Sequence, residues 1–169
     1  MERTDYIEAV DAYANTVYRV AYSYCRNESD AQDIAQNVFL KLFQSDMGFH
    51  DTEHMRRWLI RVTVNESKNL CTSFWKKNII PLENSDFDQV SVEQFPYKES
   101  SDLYHAVMKL PHKYRVVIHL YYYEDYSVRE IANILKRKET TIQTQLMRAR
   151  KKLKAMLKEE WDDEKSNGQ

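Results

Sequence analysis

Thr140, Thr141, Gln143, Thr144 and Gln145 follow one another within a single stretch of this 169-residue chain. Hydroxyls and amides of that length carry the donors and acceptors needed to read base edges in the DNA major groove. Arg148, Arg150, Lys151, Lys152 and Lys154 come directly after. Such cations meet phosphates, which supplies affinity but no sequence information. A solvated helix also carries charge, but it has no need of a polar, uncharged cluster at its start. The spacing Ile142, Leu146, Ala149, Leu153, Leu157 predicts a helix over 139–159 that buries these residues and presents the polar set outward.

A groove-entering helix is commonly braced by a second helix that precedes it. Ser127-Val128-Arg129-Glu130 is a capping-box sequence opening a short helix, with Ile131, Ala132 and Leu135 on its buried side. A polar turn at Lys136 to Lys138 joins the two, and the pair reads as a helix-turn-helix. Lys136 stands where such turns often carry glycine. Upstream, a helix from Asp102 turns Leu103, Val107 and Leu110 inward and stops at Pro111, which disfavours helical geometry in the residue before it. Pro111 then serves as the first residue of a helix reaching Tyr123, with Tyr114, Val117, Ile118 and Tyr121 as core.

The first half has three periodic segments. Tyr6, Val10, Tyr13, Val17, Ala21 and Tyr24 share one helical face. A second helix starts near Ser29, where Ser29 and Gln32 form a capping box, and turns Ile34, Val38, Phe39 and Leu42 inward. A third runs from Thr52 or Glu53 through Met55, Trp58, Leu59 and Val62 to Leu70 or Phe74. Between Ile80 and Ser100 the periodicity fails, prolines stand at 81 and 96, and Glu83, Asp86, Asp88, Glu93 and Glu99 face only Lys98. That composition marks an inter-domain linker. The predicted class is all-α: two small helical domains, over 1–79 and 101–160, joined by a flexible acidic linker over 80–100, the second holding the helix-turn-helix and followed by a frayed acidic tail over 161–169.

Charge separates the halves. The net charge is −1, yet residues 102–158 hold thirteen Lys or Arg against five Asp or Glu, whereas residues 1–34 hold three against seven. The two ends therefore expect different partners. With two glycines, the chain has no glycine-rich phosphate loop, and no Ser, Cys or His stands in a triad context. His105, His112 and His119 are too far apart along the helix to share an ion, and Pro111 interrupts the first pair. Cys25 and Cys71 lack metal-ligand spacing and read as buried small hydrophobes. The expectation is a non-enzymatic protein with no cofactor and no metal. No apolar run approaches the roughly 20 residues a membrane span requires, so the expected location is the cytoplasm. A regulator that binds duplex DNA alone, with the first half as a sensing or dimerising domain, fits these features as well, and so, less fully, does a helical interaction protein.

The stretch LPHKYRVVIHLYYYEDYSVREIANILKRKETTIQTQLMRARKKLK resembles the fourth conserved region of extracytoplasmic-function sigma factors, with Leu-Pro opening it, Glu-Ile-Ala in the first helix and Arg-Ala-Arg closing the recognition segment. DAQDIAQNVFLKLF followed by RRWLIRVTVNESKNL resembles their second region. The resemblance covers about two thirds of the chain, in the family's order. It implies a promoter-specificity subunit of bacterial RNA polymerase, with core polymerase, promoter DNA (duplex and melted strand) and an anti-sigma factor as partners, and no insertion in the membrane. Carried over residue by residue, it implies contact with the coiled coil of the polymerase's largest subunit through Asp33, Gln36, Asn37 and Leu40. It implies capture of the melted minus-ten strand through Arg56, Arg57, Arg61, Asn65, Lys68, Trp75, Lys76 and Lys77, where the chain departs from the family's arginine-rich pattern at Ser73-Phe74-Trp75. For the minus-thirty-five element it implies Thr141, Gln143, Thr144, Met147 and Arg148, with Arg150 and Lys151 on the backbone.

Overall fold

The computed structural model describes residues 2–78 and 102–167, with side chains described over 2–72 and 102–159. All regular structure in this range is helical: α1 Arg3–Cys25, α2 Glu28–Gln44, α3 Thr52–Asn78, α4 Asp102–Lys109, α5 His112–Ile118 running into a π-helical turn His119–Tyr123, α6 Val128–Leu135 and α7 Glu139–Asn167. The chain divides into two compact units at residues 85 and 86.

In the first unit α1, α2 and α3 pack on one another in every pairing. Val17, Val20 and Ala21 of α1 and Ile34, Val38 and Leu42 of α2 are buried in a core from which water is excluded. The inward set expected for α2 is the one found. Its cap differs: the Asn27 side chain, not Ser29, accepts the Asp30 amide at 2.9 Å. Asn27 wins because its extended backbone lets a short carbonyl side chain reach the first-turn amides. Asp51 does the same for α3, accepting from the His54 amide at 2.7 Å.

The buried stripe of α3 departs from expectation. Leu59, Ile60, Thr63, Val64 and Ser67 are buried, whereas Met55, Trp58 and Val62 are half-exposed. Thr63 and Ser67 enter the core because each hydroxyl donates to the carbonyl four residues back, Thr63 to Leu59 at 2.7 Å and Ser67 to Thr63 at 2.8 Å. Trp58 lies at the rim, edge-on to Phe49 with ring centroids 5.6 Å apart. The helix also continues beyond Phe74 to Asn78. Both cysteines are free and half-buried, less enclosed than expected. Burial pushes the Cys25 thiol up to about 12, so it is a poor nucleophile at neutral pH.

In the second unit α7 packs on α4, α5 and α6. Ile142, Leu146, Ala149 and Leu153 are buried as the spacing predicts, together with Val107, Met108, Leu110, Ile118, Leu120 and Ile131. Leu103, expected inward, is 47% exposed. Pro111 caps α5 instead of beginning it, and α7 runs helically to Asn167 where a frayed tail is expected. The helix ending at Tyr123 closes as a π turn, in which the Glu124 amide reaches the His119 carbonyl at 3.3 Å. That wider turn brings side chains five apart together: His119 Nε2 lies 3.3 Å from Glu124 Oε1, both wholly buried.

The predicted capping box of α6 is present, Ser127 accepting from the Glu130 amide and Glu130 from the Ser127 amide. The turn that follows puts Lys136 at φ 53° and ψ 49°, in the left-handed region that favours glycine. Lys136→Gly should therefore raise the stability of this unit by up to about 1 kcal/mol, read as a higher urea midpoint.

Candidate nucleic-acid and polymerase interfaces

With Ile142, Leu146, Ala149 and Leu153 fixed in the core, helical geometry points Thr140, Thr144, Met147 and Lys151 directly outward. Met147 is 61% exposed, and Thr141, Gln143, Arg148 and Lys151 are exposed as well. The Thr144 hydroxyl donates to the Thr140 carbonyl at 2.9 Å, leaving its lone pairs outward. Gln145 accepts from Arg137 at 3.2 Å, which ties the helix to the turn before it. The seven residues expected at the minus-thirty-five element thus lie along the exposed surface of one helix, but not all are equally available. Arg150 is folded back: its Nε donates to the Tyr122 hydroxyl at 2.6 Å, and its guanidinium lies 5.5 Å from the centroids of both Tyr121 and Tyr122. A cation so engaged is partly satisfied before any phosphate arrives.

On α2, Asp33, Gln36, Asn37 and Leu40 are all exposed and, at spacings of three and four, share one face. Leu40 is 51% and Phe43 57% exposed, and Phe43 meets Tyr6 of α1 edge-on at 5.2 Å. The face therefore holds acidic and amide groups at its start and an apolar patch at its end. Burial, and after it the neighbouring Asp33 carboxylate, pushes the Asp30 carboxyl up from the ordinary value. Lys41 pairs with Glu66 of α3 and fixes the two helices beside this face.

On α3, Arg57, Arg61, Asn65 and Lys68 fall on one side at helical spacing, with Arg57, Arg61 and Asn65 exposed. Arg56 stands on a neighbouring side and is half-exposed. Both Arg56 and Arg57 reach Glu53, at 3.3 and 3.0 Å, so that carboxylate positions two of the expected strand-contacting cations. Trp75, Lys76 and Lys77 have side chains outside the described residues.

Residues 9–77 match the family model of Sigma-70 region 2, and residues 100–153 match that of Sigma-70, region 4. The chain is 27% identical to the RNA polymerase sigma factor SigV of Bacillus subtilis over 154 residues, covering 91% of this chain and 92% of the relative. It is 25% identical to the ECF RNA polymerase sigma factor SigW of the same organism over 167 residues, covering 91% and 89%. The chain belongs to the extracytoplasmic-function sigma factors. The fold agrees: the sigma factor RpoE crystallised with the anti-sigma factor NepR from Bartonella quintana superposes with a TM-score of 0.66 at 19% identity, covering 91% of this chain and 97% of that one.

A sigma factor confers promoter specificity on RNA polymerase at initiation, and the helix-turn-helix of α6 and α7 lies within the region 4 match. In this sigma factor sequence reasoning missed three features. Phe43 extends the apolar end of the α2 face, and its place at an exposed position after Leu40 was a usable signal. The Arg150–Tyr122 bond and the placement of Lys113 beside α7 depend on tertiary packing and have no local signature. Among the described residues no helix is long and apolar enough to cross a membrane.

Proposed function

We propose that the two units divide the work of this sigma factor: residues 1–79 bind core polymerase and capture the minus-ten strand, and residues 101–160 read the minus-thirty-five element. The outward face of α7 carries the second role, with Thr141, Gln143, Thr144, Met147 and Arg148 toward the bases and Lys151 toward phosphate. Gln143, exposed on the turn that would enter the groove, supports it most directly. The α2 face of Asp33, Gln36, Asn37 and Leu40 serves the polymerase. Arg57, Arg61, Asn65 and Lys68 line a path for the melted strand, Asn65 reading a base edge and the cations following the backbone. Catalysis belongs to the polymerase, the chain itself being no enzyme, and it acts in the cytoplasm. An anti-sigma factor is the natural antagonist; two neighbours in fold, RpoE and CnrH, were solved in complex with the anti-sigma factor NepR and the cytosolic domain of CnrY respectively.

Run-off transcription over fragmented host DNA, using core polymerase with and without the chain, tests this reading. New discrete starts are expected. Their absence, together with duplex binding by the chain alone, would favour a stand-alone regulator.

The division within α7 has its own test. Gln143→Ala should cost roughly 1–3 kcal/mol on some promoter sequences and little on others, whereas Lys151→Ala should weaken all alike and flatten the salt dependence. Equal losses across a promoter library for both variants would remove the base-reading role from Gln143.

A further inference from the structure

The start of α5 lies against one flank of α7. Lys113 and Tyr114 of α5, with Thr140, Thr141, Thr144, Gln145 and Arg148 of α7, line a cleft of about 270 Å3. Tyr114 is 6% exposed and forms a fixed floor. The ammonium of Lys113 lies 5.1 Å from its ring centroid and that of Lys152 lies 6.0 Å from it. The negative face of one ring thus gathers two cations that would otherwise repel. Arg148, one helical turn before Lys152, adds a third charge on the same flank.

No carboxylate lines the cleft, and none of the three cations forms an ion pair with a described carboxylate. Arg150, on the opposite flank, is already held by Tyr122. The cationic surface available beside the base-reading turn is therefore asymmetric, and it bridges two helices. When a helix enters the major groove, its flanks face the groove walls, which are sugar and phosphate.

We propose that Lys113, Arg148 and Lys152, gathered round Tyr114, form a two-helix clamp for a backbone phosphate of the promoter duplex. This rests on the reading of α7 as the groove-entering helix. It adds to that reading a contact from α5, moves Arg148 from the bases to the backbone, and shifts the phosphate-binding set from Arg150 toward the α5 flank. The clamp fixes how deeply and at what angle the turn over 140–145 meets the bases, while itself carrying no sequence information.

The test uses holoenzyme assembled from the full chain and core polymerase, with duplex promoter fragments kept cold to hold the closed complex. Affinity is measured over a series of potassium chloride concentrations. Lys113 is exposed, so Lys113→Gln should not disturb folding. The variant is expected to weaken binding by the same factor on every promoter and to make the slope of log affinity against log salt shallower by about 1. Lys152→Gln should do likewise, and Lys113→Arg should restore the slope. A wild-type slope for Lys113→Gln overturns the clamp; if Gln143→Ala still alters sequence preference, the groove-entering role of α7 survives. A loss confined to some promoter sequences also overturns it, because that pattern marks a base contact. If neither Gln143→Ala nor Lys113→Gln changes binding to any duplex, the clamp and the reading on which it rests fail together.

Discussion

Leu40→Asp should lower the affinity of the chain for core polymerase by about 30-fold or more, the effect of removing a central interface anchor, while leaving its thermal unfolding unchanged. Leu40 is half-exposed and faces away from the core that α2 forms with α1 and α3. Its side chain contributes little to the fold, so its exposure is tolerated only at a cost in solubility. Beside it Phe43 is more exposed still, and an apolar pair rimmed by Asp33, Gln36 and Asn37 has the anatomy of a docking site: a greasy centre and a polar edge. A carboxylate placed at the centre would have to be desolvated on docking, with no partner arranged for it. Titration of labelled chain with core enzyme reads the loss, and calorimetry of the free chain checks the fold. Asp33→Arg is the companion variant, expected to slow association and reverse its salt dependence. It also removes the like charge beside Asp30, so it should not destabilise α2. If Leu40→Asp binds core enzyme as tightly as the parent chain, polymerase docks elsewhere.

Ile142→Ala should cost the second unit about 2–5 kcal/mol, the range for emptying a fully enclosed aliphatic site. Ile142 is 0% exposed and anchors the first turns of α7, directly beneath the residues that point outward. A helical unit of this size is stabilised by only a few kcal/mol in total, so the loss should leave much of it unfolded near body temperature. Binding to all minus-thirty-five sequences should fall together. The first unit has its own core, so association with polymerase through α2 should persist. Hydrogen exchange resolved by peptide reads both, with protection lost over 102–153 and retained over 17–42. Gln143→Ala, one residue along, should leave protection as it is. Equal loss of protection in both units would show that they fold cooperatively, and would remove the argument for separable roles.

Legibility in the sequence followed how far a residue's environment is set by its near neighbours. The inward set of α2 and that of α7 up to Leu153 were readable because strong aliphatic residues alternate there with charge at helical spacing. The capping box at Ser127 was readable because both partners lie within four residues. The stripe of α3 was misread: Thr63 and Ser67 look polar in a sequence, yet their hydroxyls are satisfied by their own helix and can be buried. Leu103 was placed inward by periodicity, but it stands in the first turn of the short α4, in an open groove that it lines with Val107 and Leu157. The π turn brings His119 and Glu124 into a buried pairing that no helical template anticipates. At the interfaces, sequence spacing placed the outward residues of α7 on its exposed surface, but which cations are already engaged, Arg150 above all, emerges only from packing between helices.

Arg26, Asp125 and Lys136 adopt positive φ, at 47°, 57° and 53°, each where a helix or helical turn ends. In a chain with two glycines these reversals fall to residues with side chains. The strain this places on the folded state has a counterpart in the unfolded one. A residue with a Cβ samples less conformational space than glycine, so the unfolded ensemble is smaller and less entropy is lost on folding. The two effects oppose each other, and glycine at Lys136 would recover only their difference. Retaining lysine at that turn also keeps a positive charge beside the DNA-facing helix, at a position where a glycine could contribute only geometry.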